Sequence, residues 1–333
     1  MRKIRFADTD ESVSVMALGC LAYGTKVDKA DSFRQLDYYL EQGGNFLDTA
    51  NNYSFWDADG RGGESEKLLG DWFEGRKARD KVFLATKLGA FPTVGREEFF
   101  GYKGNPWTDL TEGLNADTVV SAVEGSLKRL RTDRIDLLYA HVDDRETDQE
   151  ETLEAFDRLI RAGKVKYIGC SNFKPWRIVR SREISRNRGW ASYKAVQQFY
   201  TYFKSEVGTD TGMFDQLGED LFDYVRSGNT MSLLAYTPLL WGSYTQTHKY
   251  REEGRLESFV RPQNDERRKR LEQAATELGW TVNQVIYAWM IASDPPVIPL
   301  VAVTKFDHLI EDLATGDLIL PEEHLERLNA PLN

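Results

Sequence analysis

Cysteine and histidine are scarce in this chain of 333 residues, and the chemistries that depend on them are disfavoured accordingly. Two cysteines, Cys20 and Cys170, make neither a disulfide framework nor a thiolate zinc cage. The four histidines, His141, His248, His308 and His324, show no HxxxH spacing, which speaks against a histidine metal site. Long apolar runs are missing too. No uncharged apolar stretch reaches the roughly 18 residues of a membrane span, and residues 1–10 lack the apolar segment of a signal peptide, so a cytoplasmic protein is expected. Positive charge is in deficit: 43 Lys and Arg face 53 Asp and Glu, a net charge of −10, with no basic run. Nucleic acid and anionic membrane surfaces are therefore poor partners, and a small molecule is a better one. Also absent is a G-x-G-x-x-G turn after the first strand, which an open doubly wound nucleotide-binding sheet would carry. No low-complexity linker divides the chain, so one domain over residues 1–333 is expected.

What the sequence does contain is a regular alternation. Short apolar runs at Ser14–Leu18, Asn45–Asp48, Lys81–Lys87, Ile135–His141, Lys164–Cys170, Ala195–Gln198, Met231–Tyr236 and Val297–Val301 read as eight strands. Between them, sets such as Val119/Val123/Leu127/Leu130 and Leu153/Phe156/Ile160 recur at the three-and-four spacing of an amphipathic helix. Strand–helix units repeated in this way give parallel strands with right-handed crossovers, and eight of them close into an α/β fold of the (β/α)8 TIM-barrel type. Arg2–Phe6 and Val13–Val15 read as an N-terminal hairpin closing the barrel floor. Two long connections, Gly89 to Asn115 and Leu240 to about Asn264, follow strands and so belong to the C-terminal face, where barrel active sites lie.

Four residues fall at the ends of predicted strands: Asp48 and Tyr53 after the second, Lys87 closing the third, His141 closing the fourth. An ammonium beside a phenol favours the phenolate and lowers the phenol's pKa, and a carboxylate can hold that ammonium in place. A histidine across the pocket can orient a substrate carbonyl. Taken singly, the four also read as a turn former, a loop anchor, a solvated strand end and a core histidine. Their joint placement at converging strand ends is what points to chemistry.

At these same residues the chain resembles the aldo-keto reductase family. Gly43-Gly44-Asn45-Phe46-Leu47-Asp48-Thr49-Ala50-Asn51-Asn52-Tyr53 is similar to that family's GGNxxDTAxxY block, and Gly63-Glu64-Ser65-Glu66 to its G-x-S-E. Ser126-Leu127-Lys128-Arg129-Leu130, the segment Asp136 to His141, and Gly163 to Phe173 resemble its SLxRL, DLxxxH and GKVRxIGxSNF blocks, in the family's order. The resemblance implies an NAD(P)H-dependent oxidoreductase that moves a hydride between nicotinamide and an aldehyde, ketone or sugar. Tyr53 would be the general acid/base, Lys87 and Asp48 its tuning pair, and His141 the carbonyl orienter. Ser171, Asn172 and Gln198 match positions that hold the nicotinamide carboxamide. Tyr236, followed by Thr237-Pro238-Leu239, matches the aromatic on which the nicotinamide ring stacks.

The departures from the family pattern bear on the cofactor. Around the adenosine end, Ala302, Thr304 and His308 stand where many members carry cations against the 2′-phosphate, leaving Lys305 as a substitute. The adenine-facing Glu-Asn pair reads Glu311-Asp312, and Gly19-Cys20 replaces Gly-Thr after the first strand. NADP(H) is the expected cofactor with NAD(H) as the alternative. Loop aromatics (Phe55, Trp56, Phe91, Phe99, Phe100, Tyr102, Trp107) suit apolar or ring-shaped substrates or pack on their own loops, and Lys249, Arg251, Arg255 and Arg261 offer cations for the pyrophosphate. Two rival readings are a cofactor-binding regulatory subunit resembling the potassium-channel β-subunit branch, and a barrel hydrolase using carboxylates such as Asp48 and Asp143.

Overall fold

The computed structural model describes residues 1–58, 60–206, 208–209, 214–246 and 254–332. An antiparallel hairpin, β1 (Lys3–Arg5) and β2 (Ser12–Ser14), precedes eight parallel strands: β3 (Ala17–Gly19), β4 (Phe46–Asp48), β5 (Phe83–Leu88), β6 (Ile135–Ala140), β7 (Val165–Ser171), β8 (Ala195–Phe199), β9 (Ser232–Tyr236) and β10 (Val297–Val301). The eight close into a barrel in chain order, with β10 pairing β3. The expected (β/α)8 architecture is the one observed. The hairpin does plug the floor, since Phe6 is fully buried with its ring 4.8 Å from Phe83 and 6.3 Å from Phe46. Burying one such ring contributes about 1.5–3 kcal/mol.

The first barrel strand lies three residues later than the apolar run beginning at Ser14 predicts. Ser14 is spent on the hairpin: its Oγ meets the Tyr39 hydroxyl at 2.7 Å and its N–H donates to Asn45 Oδ1 at 2.7 Å. The helices α1 (Lys29–Glu41), α2 (Glu64–Arg76), α3 (Arg96–Gly101), α4 (Pro106–Asp109), α5 (Ala116–Leu130), α6 (Gln149–Arg161), α7 (Pro175–Arg188), α8 (Glu219–Arg226), α9 (Pro262–Leu278), α10 (Val282–Ile291), α11 (Phe306–Leu313) and α12 (Glu322–Asn329) fill the crossovers and loops. Local chemistry sets many of their ends. Asn115 accepts from Thr118 N–H at the start of α5, Thr281 and Gln284 form a reciprocal cap on α10, and left-handed Gly189 and Gly279 stop α7 and α9.

The connection from Gly89 to Asn115 contains the two short helices α3 and α4, and α9 begins at Pro262, slightly before the predicted loop end. A third long connection runs between β8 and α8. Its sequence has neither period, so only the flanking elements mark it.

Candidate active site

Lys87 is the hub. It lies on β5, a strand buried along its whole length, and its side chain is fully excluded from solvent. An ammonium has three protons, and here each has an acceptor: Asp48 Oδ1, the Thr49 carbonyl at 2.9 Å and the Tyr53 phenol oxygen at 2.8 Å. Register brings the first two into reach, because β4 pairs β5 with Asp48 opposite Ala85, and the chain then turns so that Asn51 N–H donates to the Lys87 carbonyl at 3.0 Å. The other oxygen of Asp48 accepts from Gln197 Nε2 at 2.8 Å.

Since Tyr53 accepts from Lys87, its own O–H is free to donate elsewhere. Its ring lies between His141, at 6.0 Å between centroids, and Trp56, at 5.9 Å. Asp48, Tyr53, Lys87 and His141 are thus brought together. One sequence expectation is corrected here. Burial, and secondarily the Asp48 charge, hold the Tyr53 phenol well above its ordinary pKa. An ammonium paired to a carboxylate is a nearly neutral unit and exerts little net field on the phenol, so desolvation wins. Burial also pushes Lys87 down and Asp48 up, the latter drawn back by Lys87. His141 is held well below its usual range by burial and by the nearby Lys87 charge, so it is neutral at pH 7. Its Nδ1 is buried and makes no hydrogen bond.

The ends of β7, β8 and β9 bring a second set together. Asn172, left-handed at φ 61°, donates from Nδ2 to the His141 carbonyl at 3.0 Å and to Ser171 Oγ at 3.1 Å, and its Oδ1 accepts from the Tyr236 hydroxyl at 2.6 Å. Gln198 accepts from Asn172 N–H at 2.7 Å and donates to the Phe173 carbonyl at 2.7 Å. The remaining capacity is the Ser171 O–H, one Gln198 N–H and one lone pair on Asn172 Oδ1. A carboxamide, with one carbonyl and one amino group, is matched by that donor and acceptor set. Thr237 is β-branched with φ 55°, and Leu240 and Trp241 also have positive φ, so backbone strain gathers just past Tyr236. The Pro238 carbonyl is tied to Thr201 Oγ1 at 2.8 Å, and Leu239 packs against the core.

The remaining named residues fall outside these two sets. A side chain on Gly19 would press on Ala302 Cβ at 3.3 Å, and the Cys20 thiol is fully buried with Sγ 3.6 Å from the Leu18 carbonyl. Thr304, Lys305 and His308 are exposed around the start of α11, and Glu311 is half-buried. Asp312 turns inward, accepts from the Tyr287 hydroxyl at 3.3 Å, and is pushed up to about 7 by burial. Arg261 Nη1 donates to the Ser205 carbonyl at 2.8 Å. Lys249, Arg251 and the Arg255 side chain lie outside the described residues. Phe55 and Phe99 are buried against each other at 5.5 Å, whereas Trp56 is half-buried beside Tyr53 and Trp107, also half-buried, lies 6.3 Å from Trp56 and 4.9 Å from Phe99.

The hydrolase reading finds no free carboxylate in the pair it named. Asp143 is taken by Arg177 at 2.6 Å and Arg145 at 2.7 Å, and Asp48 by Lys87 and Gln197. Sequence reasoning missed Gln197 and the layer behind the hub. There Glu66 is fully buried and accepts from Arg129 at 2.7 Å and from Thr86 Oγ1 at 2.6 Å, which joins the Gly63–Glu66 segment to the Ser126–Leu130 segment.

Comparison with known proteins gives a consistent picture. The sequence profile described as "Aldo/keto reductase family" matches residues 15–332. Norsolorinic acid reductase A of Aspergillus parasiticus is 29% identical over 95% of this chain and 77% of its own. The uncharacterized oxidoreductase YrpG of Bacillus subtilis is 30% identical over 95% of this chain and 91% of its own. Aryl-alcohol dehydrogenase [NADP(+)] of Phanerodontia chrysosporium is 28% identical, covering 95% and 82%. Among solved structures, a thermostable aldo-keto reductase crystallised with the inhibitor epalrestat superposes with a TM-score of 0.73 at 22% identity, covering 99% of both chains, which speaks to the fold.

Proposed function

From its membership of the aldo/keto reductase family, to which this chain belongs, we propose that the protein is a single-domain, nicotinamide-dependent carbonyl reductase with Tyr53 as proton donor. The observation that carries this reading is the 2.8 Å hydrogen bond from Lys87 to the Tyr53 oxygen, which leaves the phenol proton pointing away from the ammonium. A bound NAD(P)H supplies the hydride. Ser171, Asn172 and Gln198 would hold its carboxamide and Tyr236 would offer its ring face. His141, neutral at pH 7, donates its single N–H to the substrate oxygen and orients it. As the carbonyl carbon gains hydride, its oxygen becomes basic and takes the Tyr53 proton, leaving a phenolate beside the Lys87 ammonium. NADP(H) is the proposed cofactor, and the exposed Lys305 would hold its extra phosphate.

The half-buried Trp56 next to the donor, with Trp107 set edge-on against it, gives an apolar aromatic wall, which suits aldehydes and ketones carried on aromatic rings. One relative bears a name of that kind, an aryl-alcohol dehydrogenase. The test is a panel of aromatic and aliphatic aldehydes, ketones and sugars, followed by loss of reduced-nicotinamide absorbance with NADPH and with NADH. Turnover of aromatic carbonyls ahead of the others is expected. Tight cofactor binding with no turnover of any member would replace the reductase with a cofactor-binding regulatory protein.

A further inference from the structure

We propose that Gln197 is a positioning residue of this site, holding the Asp48 carboxylate from across the barrel so that Lys87 keeps one of its protons on Tyr53. β4 and β8 stand on opposite sides of the closed barrel, so the 2.8 Å hydrogen bond from Gln197 Nε2 to Asp48 Oδ2 spans the interior between residues 149 positions apart. Both partners are dry, Asp48 at 0% and Gln197 at 2% exposure. Water therefore does not stand in for either one.

The need for Gln197 follows from counting protons. The Lys87 ammonium has spent its three donors on Asp48 Oδ1, Thr49 O and Tyr53 Oη, and it has none left for Asp48 Oδ2. Without Gln197 the second oxygen of a buried carboxylate is left bare. Two responses are open to it. The carboxylate can rotate to share Lys87 through both oxygens, which draws the ammonium off the phenol, or it can take up a proton, which removes the charge holding Lys87. Either one leaves Tyr53 less well oriented. The Tyr139 hydroxyl, fully buried on β6, interacts with the Gln197 side chain and feels the Asp48 charge, and it makes no hydrogen bond to Asp48. Other ionisable groups facing the carboxylate are Lys87 on β5, Cys20 just past β3 and Tyr53 on the loop after β4. Gln198, the next residue, serves Asn172 and Phe173 instead, so the two adjacent glutamines have separate tasks.

This inference rests on the reductase reading for its effect on rate, and its test has an arm that does not. Gln197→Met keeps the volume and removes the donor. Relative to wild type, kcat for the carbonyl should fall about tenfold or more while cofactor affinity, read by quenching of tryptophan fluorescence, stays within about twofold and shows the site is still folded. The acidic limb of the pH–rate profile should move up by about one to two pH units, because losing a hydrogen bond to the charged form raises the carboxylate's pKa. Gln197→Glu supplies a donor only while the two carboxyl groups share a proton. Its rate should fall on the alkaline side, where wild type holds its plateau.

The independent arm is infrared difference spectroscopy of the carboxylic acid C=O stretch, assigned by its loss in Asp48→Asn. The band should appear at higher pH in Gln197→Met than in wild type, whether or not any carbonyl is turned over. An unchanged band and unchanged pH profiles in both variants would overturn the role of Gln197. A shifted band in a protein without turnover would keep it and overturn the reductase reading.

Discussion

A phenol that accepts from an ammonium and is kept from water retains its own proton, and for Tyr53 this decides which direction of the reaction finds the site ready. With its pKa raised by burial and by Asp48, Tyr53 keeps its proton through neutral and mildly alkaline pH, as the proposed acid must. Carbonyl reduction needs the protonated form, present below the raised pKa, so its rate should hold as pH rises past 8. Alcohol oxidation needs the phenolate and should climb with pH over that range. Rates measured in both directions from pH 6 to 10 check this, and a reduction rate that collapses near neutrality would show a phenol far more acidic than its surroundings allow. Tyr53→Phe leaves the ring and removes the acid, so turnover should fall by about 10² or more with cofactor affinity unchanged. The Asp48–Lys87 pair carries a stability consequence. Both side chains are fully buried, so Lys87→Met leaves a carboxylate without its cation and should cost roughly 3–5 kcal/mol. Adding Asp48→Asn removes that bare charge, and the double variant should melt above Lys87→Met while being equally inactive. Additive melting losses would mean the two residues do not act as a pair.

At the scale of elements, the strands follow from apolar runs bounded by turns, and seven of the eight barrel strands lie within two residues of where those runs predict them. The exception, β3, shows what a run of residues leaves open. Ser14 to Leu18 suits a strand throughout, and only the side-chain bonds of Ser14 to Tyr39 and Asn45 assign its first residue to the hairpin instead. The loop from Gly89 to Asn115 is legible as a loop and not as an ordered one. Its order comes from Glu112, whose Oε1 accepts from Asn51 Nδ2 at 2.8 Å and from Gly89 N–H at 2.7 Å, tying the loop's far end to the turn that bears Tyr53. Glu112→Ala should loosen that connection. The expected result is a several-fold rise in KM for the carbonyl with a smaller change in kcat, since Trp107 then stands less firmly beside Trp56. Faster proteolytic cleavage between residues 95 and 112 should accompany it. A KM unaltered despite faster cleavage would separate the loop from the substrate.

For the molecule as a whole, closure of the barrel is what makes distant strand ends one site, and this much could be anticipated from the order of strands. Contacts across the interior could not. Gln197 and Asp48 meet only because eight strands close, and neither residue's neighbours in sequence mark the contact. Burial was equally hidden, and it reverses the expected pull of Lys87 on Tyr53. Under the proposed function, cofactor choice belongs to this scale and turns on two opposing electrostatic effects. The net charge of −10 repels NADPH more than NADH because of the extra phosphate, though over distances beyond about 8–10 Å salt screens this largely away. At contact range Lys305 stands exposed beside Thr304 and His308 at the start of α11, one firm cation where the family pattern has more. One charge-assisted hydrogen bond to phosphate is worth about 1.5–3 kcal/mol, or roughly 10- to 150-fold in affinity. NADPH should accordingly bind more tightly than NADH by less than about 10³, and Lys305→Ala should bring the ratio near one by weakening NADPH alone. Titration of both reduced cofactors by tryptophan quenching measures it. A ratio above about 10³ that survives Lys305→Ala would place the phosphate on cations other than this one.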